Sequence, residues 1–249
     1  MAEALLRAAQ LTRRFGGLTA VDRVSLDLQV GEVHAVIGTN GAGKSTLLDM
    51  LSGESVPSSG RIEFDGHDIG TWPQPRRARA GIGRSYQRTT VFAEFSVLEN
   101  CRLGAQATLP RAWRVWQSAQ RCAHSLQAAH AALEAVGLSD AAHRTAGTLS
   151  HGGQRQLEIA ICLASRPRVL LLDEPLAGMG AEECERMLAL LGKLKHDHAV
   201  LLVEHDMDAV FRIADRVTVM VDGKAIASDL PDRIRTHAEV LVAYLGEGH

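Results

Sequence analysis

The sequence is poor in aromatic residues, carries almost no net charge and contains no closely paired cysteines. Aromatic side chains make up 4% of the 249 residues, and the formal net charge is -2. We therefore expect neither a base-stacking surface nor a basic field, and we expect no nucleic-acid partner. The four cysteines are scattered without a CxxC pair, which argues against a zinc site and favours reduced thiols.

The sequence also lacks a long apolar run. A helix that spans a bilayer needs about 20 consecutive apolar residues, and no run in this chain approaches that length. The first residues, Met1–Arg7, do not form the apolar core of a signal peptide. If the protein serves a membrane process, we expect it to dock onto another chain that spans the membrane.

A glycine-rich segment lies between a predicted strand, Val33–Ile37, and a predicted helix, Thr46–Leu51. Residues 38–45 fit the pattern G-x-x-x-x-G-K-[ST]. Glycines let successive backbone N–H groups point at phosphate oxygens, and the following helix adds its positive N-terminal end. Lys44 supplies a charge for the β- and γ-phosphates, and the Ser45 hydroxyl is a ligand for Mg²⁺. The predicted phosphate-binding residues are Gly38, Asn40, Gly41, Ala42, Gly43, Lys44, Ser45 and Thr46.

Two carboxylates follow a second apolar strand, Val169–Leu172. Asp173 ends that run, so it is expected at the carboxyl edge of a parallel sheet, where ligands of open α/β folds bind. Asp173 is a candidate Mg²⁺ ligand, and Glu174 points elsewhere and is free to polarise an attacking water. A predicted helix, Ala181–Lys195, separates this strand from another, Val200–Val203, which gives a parallel strand–helix–strand unit.

The remaining patterns predict an α/β fold with a parallel-sheet core and two additions. Leu5–Asp65 alternates apolar and polar residues, which predicts an N-terminal antiparallel β-subdomain. Leu98–Leu138 is alanine-rich with helical spacing, which predicts an inserted α-helical subdomain. Asp222–Gly223 between two apolar runs predicts a hairpin. We predict one domain over residues 1–249, with 1–87 and 165–249 as the core and 88–164 as the helical part.

Further segments carry a resemblance to a known family. Leu149–Gln156 reads LSHGGQRQ and resembles the LSGGQ signature of ABC ATPases. Arg84–Gln87 resembles their Q-loop, Val203–Met207 resembles their H-loop, and Phe15 lies where the family has an aromatic residue that stacks on adenine. The order and spacing match along nearly the whole chain. The resemblance implies a P-loop NTPase (RecA-like) core that binds ATP with Mg²⁺ and hydrolyses it.

The resemblance also implies a role for each matching residue. Phe15 would stack on adenine. Gln87 would contact Mg²⁺ and the attacking water and couple the site to the helical subdomain, while Asp173 would bind the metal. Glu174 would act as the general base, and His205 would hold the γ-phosphate and the water.

The signature segment implies a second cassette, identical or paralogous, that faces this one. Ser150 and the backbone N–H of Gly152 would contact the γ-phosphate of the ATP that the partner cassette holds. Four positions depart from the family pattern. His151 replaces a signature glycine, Gly153 replaces the signature glutamine, Gly180 replaces an aspartate, and Thr39 stands where proline is common. We expect the His151 side chain to point away from the phosphate.

Within the family, the chain resembles the ATPases of branched-chain amino acid uptake, a group that includes urea and amide systems. The segments that carry this likeness are Arg14–Leu18, Ser150–Gly152, Leu157–Ala160, Leu176–Met179, Val203–Met207 and Ala243–Gly246. They imply an importer with integral-membrane permease subunits, served indirectly by a solute-binding protein, and a peripheral location on the cytoplasmic face of the inner membrane. Phe92 and Phe95, in a groove over residues 88–99, are the predicted permease contacts. A urea or amide importer ATPase, a soluble non-transport ABC ATPase and a regulatory module that barely hydrolyses stay open as alternatives.

Overall fold

A computed structural model describes residues 4–87, 90–107 and 123–245 of the chain. Part of the predicted permease groove, Arg88 and Thr89, lies outside the described residues. The strands are β1 (Leu6–Phe15), β2 (Leu18–Leu28), β3 (Val33–Gly38), β4 (Ser59–Phe64), β5 (His67–Asp68), β6 (Ile82–Arg84), β7 (Val169–Asp173), β8 (Ala199–Val203), β9 (Arg216–Val221) and β10 (Lys224–Asp229). The helices are α1 (Lys44–Ser52), α2 (Gln74–Ala80), α3 (Val97–Ala107), α4 (Ala123–Val136), α5 (His151–Ala164), α6 (Ala181–Leu194), α7 (Met207–Ile213), α8 (Pro231–Arg235) and α9 (Ala238–Leu245).

A six-stranded sheet in the order β10-β9-β3-β8-β7-β6 forms the centre of the molecule. Its neighbours from β9 to β6 run parallel, and β10 alone is antiparallel. Every residue of β3, β7 and β8 is buried, which explains their continuous apolar sequences. Leu170 and Leu172 pack towards the helical layer, while Leu171 packs towards α1. The predicted parallel-sheet core is confirmed.

The N-terminal strands form a separate antiparallel sheet in the order β2-β1-β4-β5. Its inner face contributes Leu6, Leu11 and Ile62 to the same core cluster as Leu47 and Leu51 of α1. The predicted antiparallel subdomain is therefore present and packs on the helix that follows the phosphate loop.

The hairpin predicted from Asp222–Gly223 connects β9 to β10. Both residues have positive φ, 46° for Asp222 and 80° for Gly223. Two successive left-handed residues make the tight turn whose twist matches that of paired strands.

Helices α3, α4 and α5 pack on one another and form the helical layer. Small side chains such as Ala129 and Ala132, together with Leu133 and Leu157, fill the space between them. The predicted helical insertion is confirmed in its described part, and the exact division at residues 88 and 164 stays a proposal. Within residues 4–87, 90–107 and 123–245, no helix has both the length and the apolar character that a membrane crossing requires.

Candidate active site

The phosphate loop connects the end of β3 to the start of α1, and two of its glycines are needed for close approach. A Cβ atom on Gly43 would lie 2.2 Å from the carbonyl oxygen of Ala20, and Gly43 also has φ of 95°. A Cβ atom on Gly38 would lie 2.1 Å from the carbonyl oxygen of Met220. Larger residues at either position would push the loop out of its place beside β2 and β9.

Lys44, the first residue of α1, is buried with its ammonium group against the loop. Its Nζ donates to the carbonyl oxygens of Gly38 at 2.7 Å and Thr39 at 2.8 Å. Burial lowers the pKa of Lys44, and the charges of Glu174 and Asp173 oppose that shift. The lysine is thus electrostatically coupled to both carboxylates that end the second motif.

The rest of the loop differs in exposure. Ala42 is buried, Thr46 is half-buried, and Asn40, Gly41 and Ser45 are exposed.

Asp173 ends β7 and is almost completely buried at the carboxyl edge of the sheet. Its Oδ2 lies 3.8 Å from Nη2 of Arg84, and its backbone N–H donates to Oγ of Ser85 at 3.3 Å. Burial raises the pKa of Asp173, and the Arg84 charge opposes that shift. Arg84 also contacts Asp49 at 2.7 Å, so one buried guanidinium balances several carboxylates. The sequence patterns assign Arg84 only to the Q-loop and miss this role.

Glu174 lies at the centre of a cluster that includes Gln87 and His205. Gln87 Nε2 donates to Glu174 Oε2 at 2.9 Å, and His205 Nδ1 lies 3.8 Å from Glu174 Oε1. Glu174 has φ of 49°, an uncommon value for a residue with a side chain. Backbone strain of this kind is concentrated at functional sites. The structure therefore brings together the three residues predicted to be catalytic.

Glu204 is buried next to this cluster and binds the main chain on both sides of it. Its carboxylate is completely buried and accepts hydrogen bonds from the backbone N–H of Leu176 at 2.8 Å and of His205 at 3.2 Å. Burial raises the pKa of Glu204, and the two backbone donors oppose that shift. Glu204 ties the segment after Glu174 to the segment that carries His205.

Phe15 lies at the end of β1, and 50% of its surface is exposed. The guanidinium carbon of Arg13 lies 4.6 Å from the centre of the ring. An exposed aromatic ring beside a cation is a suitable surface for a heterocyclic base.

Ser150 and Gly152 form a second cluster at the N-terminus of α5. The Ser150 hydroxyl accepts from the Gly153 N–H at 3.1 Å and donates to Glu183 Oε1 at 2.9 Å. The Glu183 carboxyl carbon would lie 2.5 Å from a Cβ atom on Gly152. Among the described residues, no hydrogen bond or ion pair joins Ser150 or Gly152 to the phosphate loop of the same chain. The sequence patterns give no sign of Glu183 at this position.

The His151 ring turns towards the segment that follows Glu174. Its Nε2 lies 3.0 Å from the carbonyl oxygen of Ala177, next to Gly178. Gly180 precedes α6 and offers no side chain to cap it. His151 and Gly180, two of the departures from the family pattern, thus lie on neighbouring segments.

Comparisons with known proteins agree with this architecture. The profile of the family described as ABC transporter matches residues 21–177. The high-affinity branched-chain amino acid transport ATP-binding protein BraF of Pseudomonas aeruginosa is 39% identical over 256 residues, covering 99% of this chain and 100% of that protein. The corresponding protein LivG of Escherichia coli is 37% identical over 259 residues, covering 99% of this chain and 100% of its own length.

Solved structures give the same result. An ATP-binding cassette of an ABC transporter in its ADP conformation has a TM-score of 0.89 and 29% identity, with 99% of this chain and 100% of that chain covered. A nucleotide-free ATP-binding cassette has a TM-score of 0.88 and 29% identity, covering 98% of this chain and 100% of that chain. The chain therefore belongs to the ABC transporter family and is one of its ATP-hydrolysing cassettes with the P-loop NTPase fold.

Proposed function

We propose that this chain is the ATP-binding and ATP-hydrolysing subunit that energises an importer for branched-chain amino acids. The similarity to BraF and LivG over nearly the full length supports the class of transporter. The observation that carries the catalytic part is the cluster of Gln87, Glu174 and His205, coupled electrostatically to Lys44.

In this proposal the nucleotide lies between Phe15 and the phosphate loop. The adenine stacks on the exposed Phe15 ring, and the triphosphate accepts hydrogen bonds from the backbone N–H groups of residues 38–46. Lys44 already points its ammonium group at this loop. A phosphate oxygen would replace the Gly38 and Thr39 carbonyls as its partner.

The residues at this edge of the sheet suit Mg²⁺. Each of the proposed ligands, Ser45, Gln87 and Asp173, has a side-chain oxygen atom, the type of ligand that this ion prefers. Because Gln87 donates through Nε2, its carbonyl oxygen Oε1 is the atom that would bind the ion. In the described part of the chain no group of three or more His, Cys, Asp or Glu side chains is arranged to hold a metal. Bound with the nucleotide, Mg²⁺ would neutralise charge on the β- and γ-phosphate oxygens.

Hydrolysis then uses the Glu174 cluster. Glu174 takes a proton from a water that attacks the γ-phosphorus in line, and the bond to the β–γ bridging oxygen breaks to give ADP and inorganic phosphate. Gln87 orients the water beside Glu174, and His205 donates to the γ-phosphate. Glu204 keeps the His205 segment in place through its two backbone hydrogen bonds.

A second cassette would complete the site. We propose that Ser150 and the Gly152 N–H of each cassette bind the γ-phosphate held by the other. The N-terminus of α5 offers unpaired N–H groups and a partial positive charge for an anion. In the single chain, the Ser150 hydroxyl donates to the Glu183 carboxylate, which also lies beside Gly152.

The permease would bind the exposed aromatic pair Phe92 and Phe95. Their rings stack at 5.5 Å between centres, and 56% and 44% of their surfaces are exposed. Phe92 also borders a groove of about 280 Å³ that Tyr86 and Ile161 line. An apolar groove of this kind receives a helix from a partner. A permease docked here would hold the chain on the cytoplasmic face of the inner membrane, with a solute-binding protein on the other side.

The test is to purify the tagged chain from native membranes and to identify the proteins that accompany it. We expect permease subunits, a second cassette and, after reconstitution in liposomes, ATP-dependent uptake of leucine but not of urea. Uptake of urea or an amide would reassign the substrate. Recovery of soluble partners without a permease would overturn the transport proposal, and an absence of Mg-ATP hydrolysis would overturn the enzymatic one.

A further inference from the structure

An ion pair is buried inside α5, one turn after its start. Arg155 Nη1 lies 2.8 Å from Glu158 Oε2, and the two side chains are only 7% and 4% exposed. Buried ion pairs of this kind are often no more stabilising than apolar residues of the same volume. The pair is therefore a candidate for a role other than stability.

Both members of the pair bind the main chain of the segment that carries Gln87. Arg155 donates to the carbonyl oxygen of Tyr86 at 2.9 Å through Nη1 and to that of Gln87 through Nη2. Glu158 Oε1 accepts from the backbone N–H of Thr90 at 2.8 Å. One turn of α5 thus holds this main chain at three positions.

These contacts continue into the catalytic cluster. The side chain of Gln87, whose main chain Arg155 contacts, donates to Glu174 at 2.9 Å. The same α5 begins at the Ser150 cap. A continuous series of contacts therefore runs from the start of α5, through Arg155 and Glu158, to the side chain beside the proposed catalytic base.

We propose that Arg155, braced by Glu158, is a positioning residue for Gln87. It fixes the Gln87 main chain so that the side-chain amide contacts Glu174. The distance between Gln87 and Glu174 therefore depends on the position of α5. The inference rests on the proposed hydrolytic function for its kinetic consequence but not for its structural one. A displacement of about 1 Å at a catalytic group can cost roughly 100-fold in rate.

The experiment uses the double variant Arg155→Met/Glu158→Leu, which removes the pair without leaving a buried charge alone. The control is Arg212→Met/Glu185→Leu, because that pair joins α7 to α6 on the surface, with contacts of 2.6 Å. We expect the Arg155/Glu158 variant to bind ATP within about twofold of wild type while kcat falls roughly 10- to 100-fold. The control keeps wild-type kcat.

A Gln87→Ala background separates positioning from general structural damage. If Arg155 acts through Gln87, the double variant lowers kcat no further when Gln87 is already alanine, because coupled residues are not additive. Equal losses in both backgrounds, or a loss of ATP affinity alone, would overturn the inference.

A second measurement does not depend on activity. In ¹⁵N-labelled protein, the side-chain amide signals of Gln87, assigned by their loss in Gln87→Ala, should be distinct in wild type and in the control. In Arg155→Met/Glu158→Leu they should move to the position of a freely rotating glutamine. If the wild-type chain did not hydrolyse ATP, the proposed function would be wrong, and these signals alone would decide whether Arg155 positions Gln87.

Discussion

Replacement of Lys44 by methionine should weaken ATP binding without lowering the stability of the empty chain. The wild-type ammonium is buried and donates to the carbonyl oxygens of Gly38 and Thr39. Burial lowers the pKa of Lys44, so the folded chain disfavours the charged form relative to water. That cost is fully present below the folded pKa of Lys44. Methionine has a similar length and carries no charge.

The size of the binding effect follows from the contact that methionine cannot make. A hydrogen bond to a charged group contributes about 1.5–3 kcal/mol, which corresponds to roughly a 10- to 150-fold loss of affinity for ATP. The free energy of unfolding of the empty chain should stay the same or rise, because a disfavoured ammonium is removed together with its two contacts to carbonyl oxygens.

Two assays on the same preparation test this prediction. Titration with a fluorescent ATP analogue gives the affinity, and urea unfolding gives the stability. Lys193→Met on α6 serves as a control, since it removes the same charge from an exposed position. A variant that binds ATP normally would refute the assignment of Lys44. A variant that loses both binding and several kcal/mol of stability would show that Lys44 is needed for folding.

Three further predictions concern other parts of the chain. Phe15→Ala should weaken the binding of ATP by about 1–3 kcal/mol because the stacking on adenine is lost. The binding of inorganic triphosphate should not change, and competition titrations with the two ligands would show the difference. Burial lowers the pKa of His34 to about 4. As the pH falls from 6.5 to 4, only the unfolded chain takes up this proton, so the free energy of unfolding should fall by roughly 3 kcal/mol. In urea unfolding, His34→Gln should lose that part of the pH dependence. Glu183→Gln should weaken the contact with Ser150, so light scattering should detect association of two cassettes at a lower ATP concentration. The control Glu182→Gln on the same helix should behave as wild type.

Much of the fold was predictable because its elements follow local rules. Val169–Leu172 is uniformly apolar since β7 is covered on both faces. The turn at Asp222–Gly223 needs two residues that accept positive φ. The phosphate loop was predictable for a similar reason, because the places of Gly38 and Gly43 leave no room for a Cβ atom.

The supporting residues of the site were not predictable in the same way. Arg155 bonds to main-chain oxygens 68 and 69 positions away, and Glu183 meets Ser150 across 33 positions. Only the tertiary fold brings such partners together. The one available signal is that Arg155 and Glu158, three residues apart, are charged on the buried side of α5. Opposite charges at that spacing predict a pair but not its partners on the Q-loop.

The central claim is that Glu174 is the base that activates water for ATP hydrolysis beside Gln87 and His205. A single-turnover measurement with radiolabelled Mg-ATP on Glu174→Gln tests it most directly. We predict that ATP stays bound while the rate of phosphate formation falls about 10²- to 10⁴-fold, the usual contribution of a general base. Phosphate formation at the wild-type rate in this variant would contradict the account.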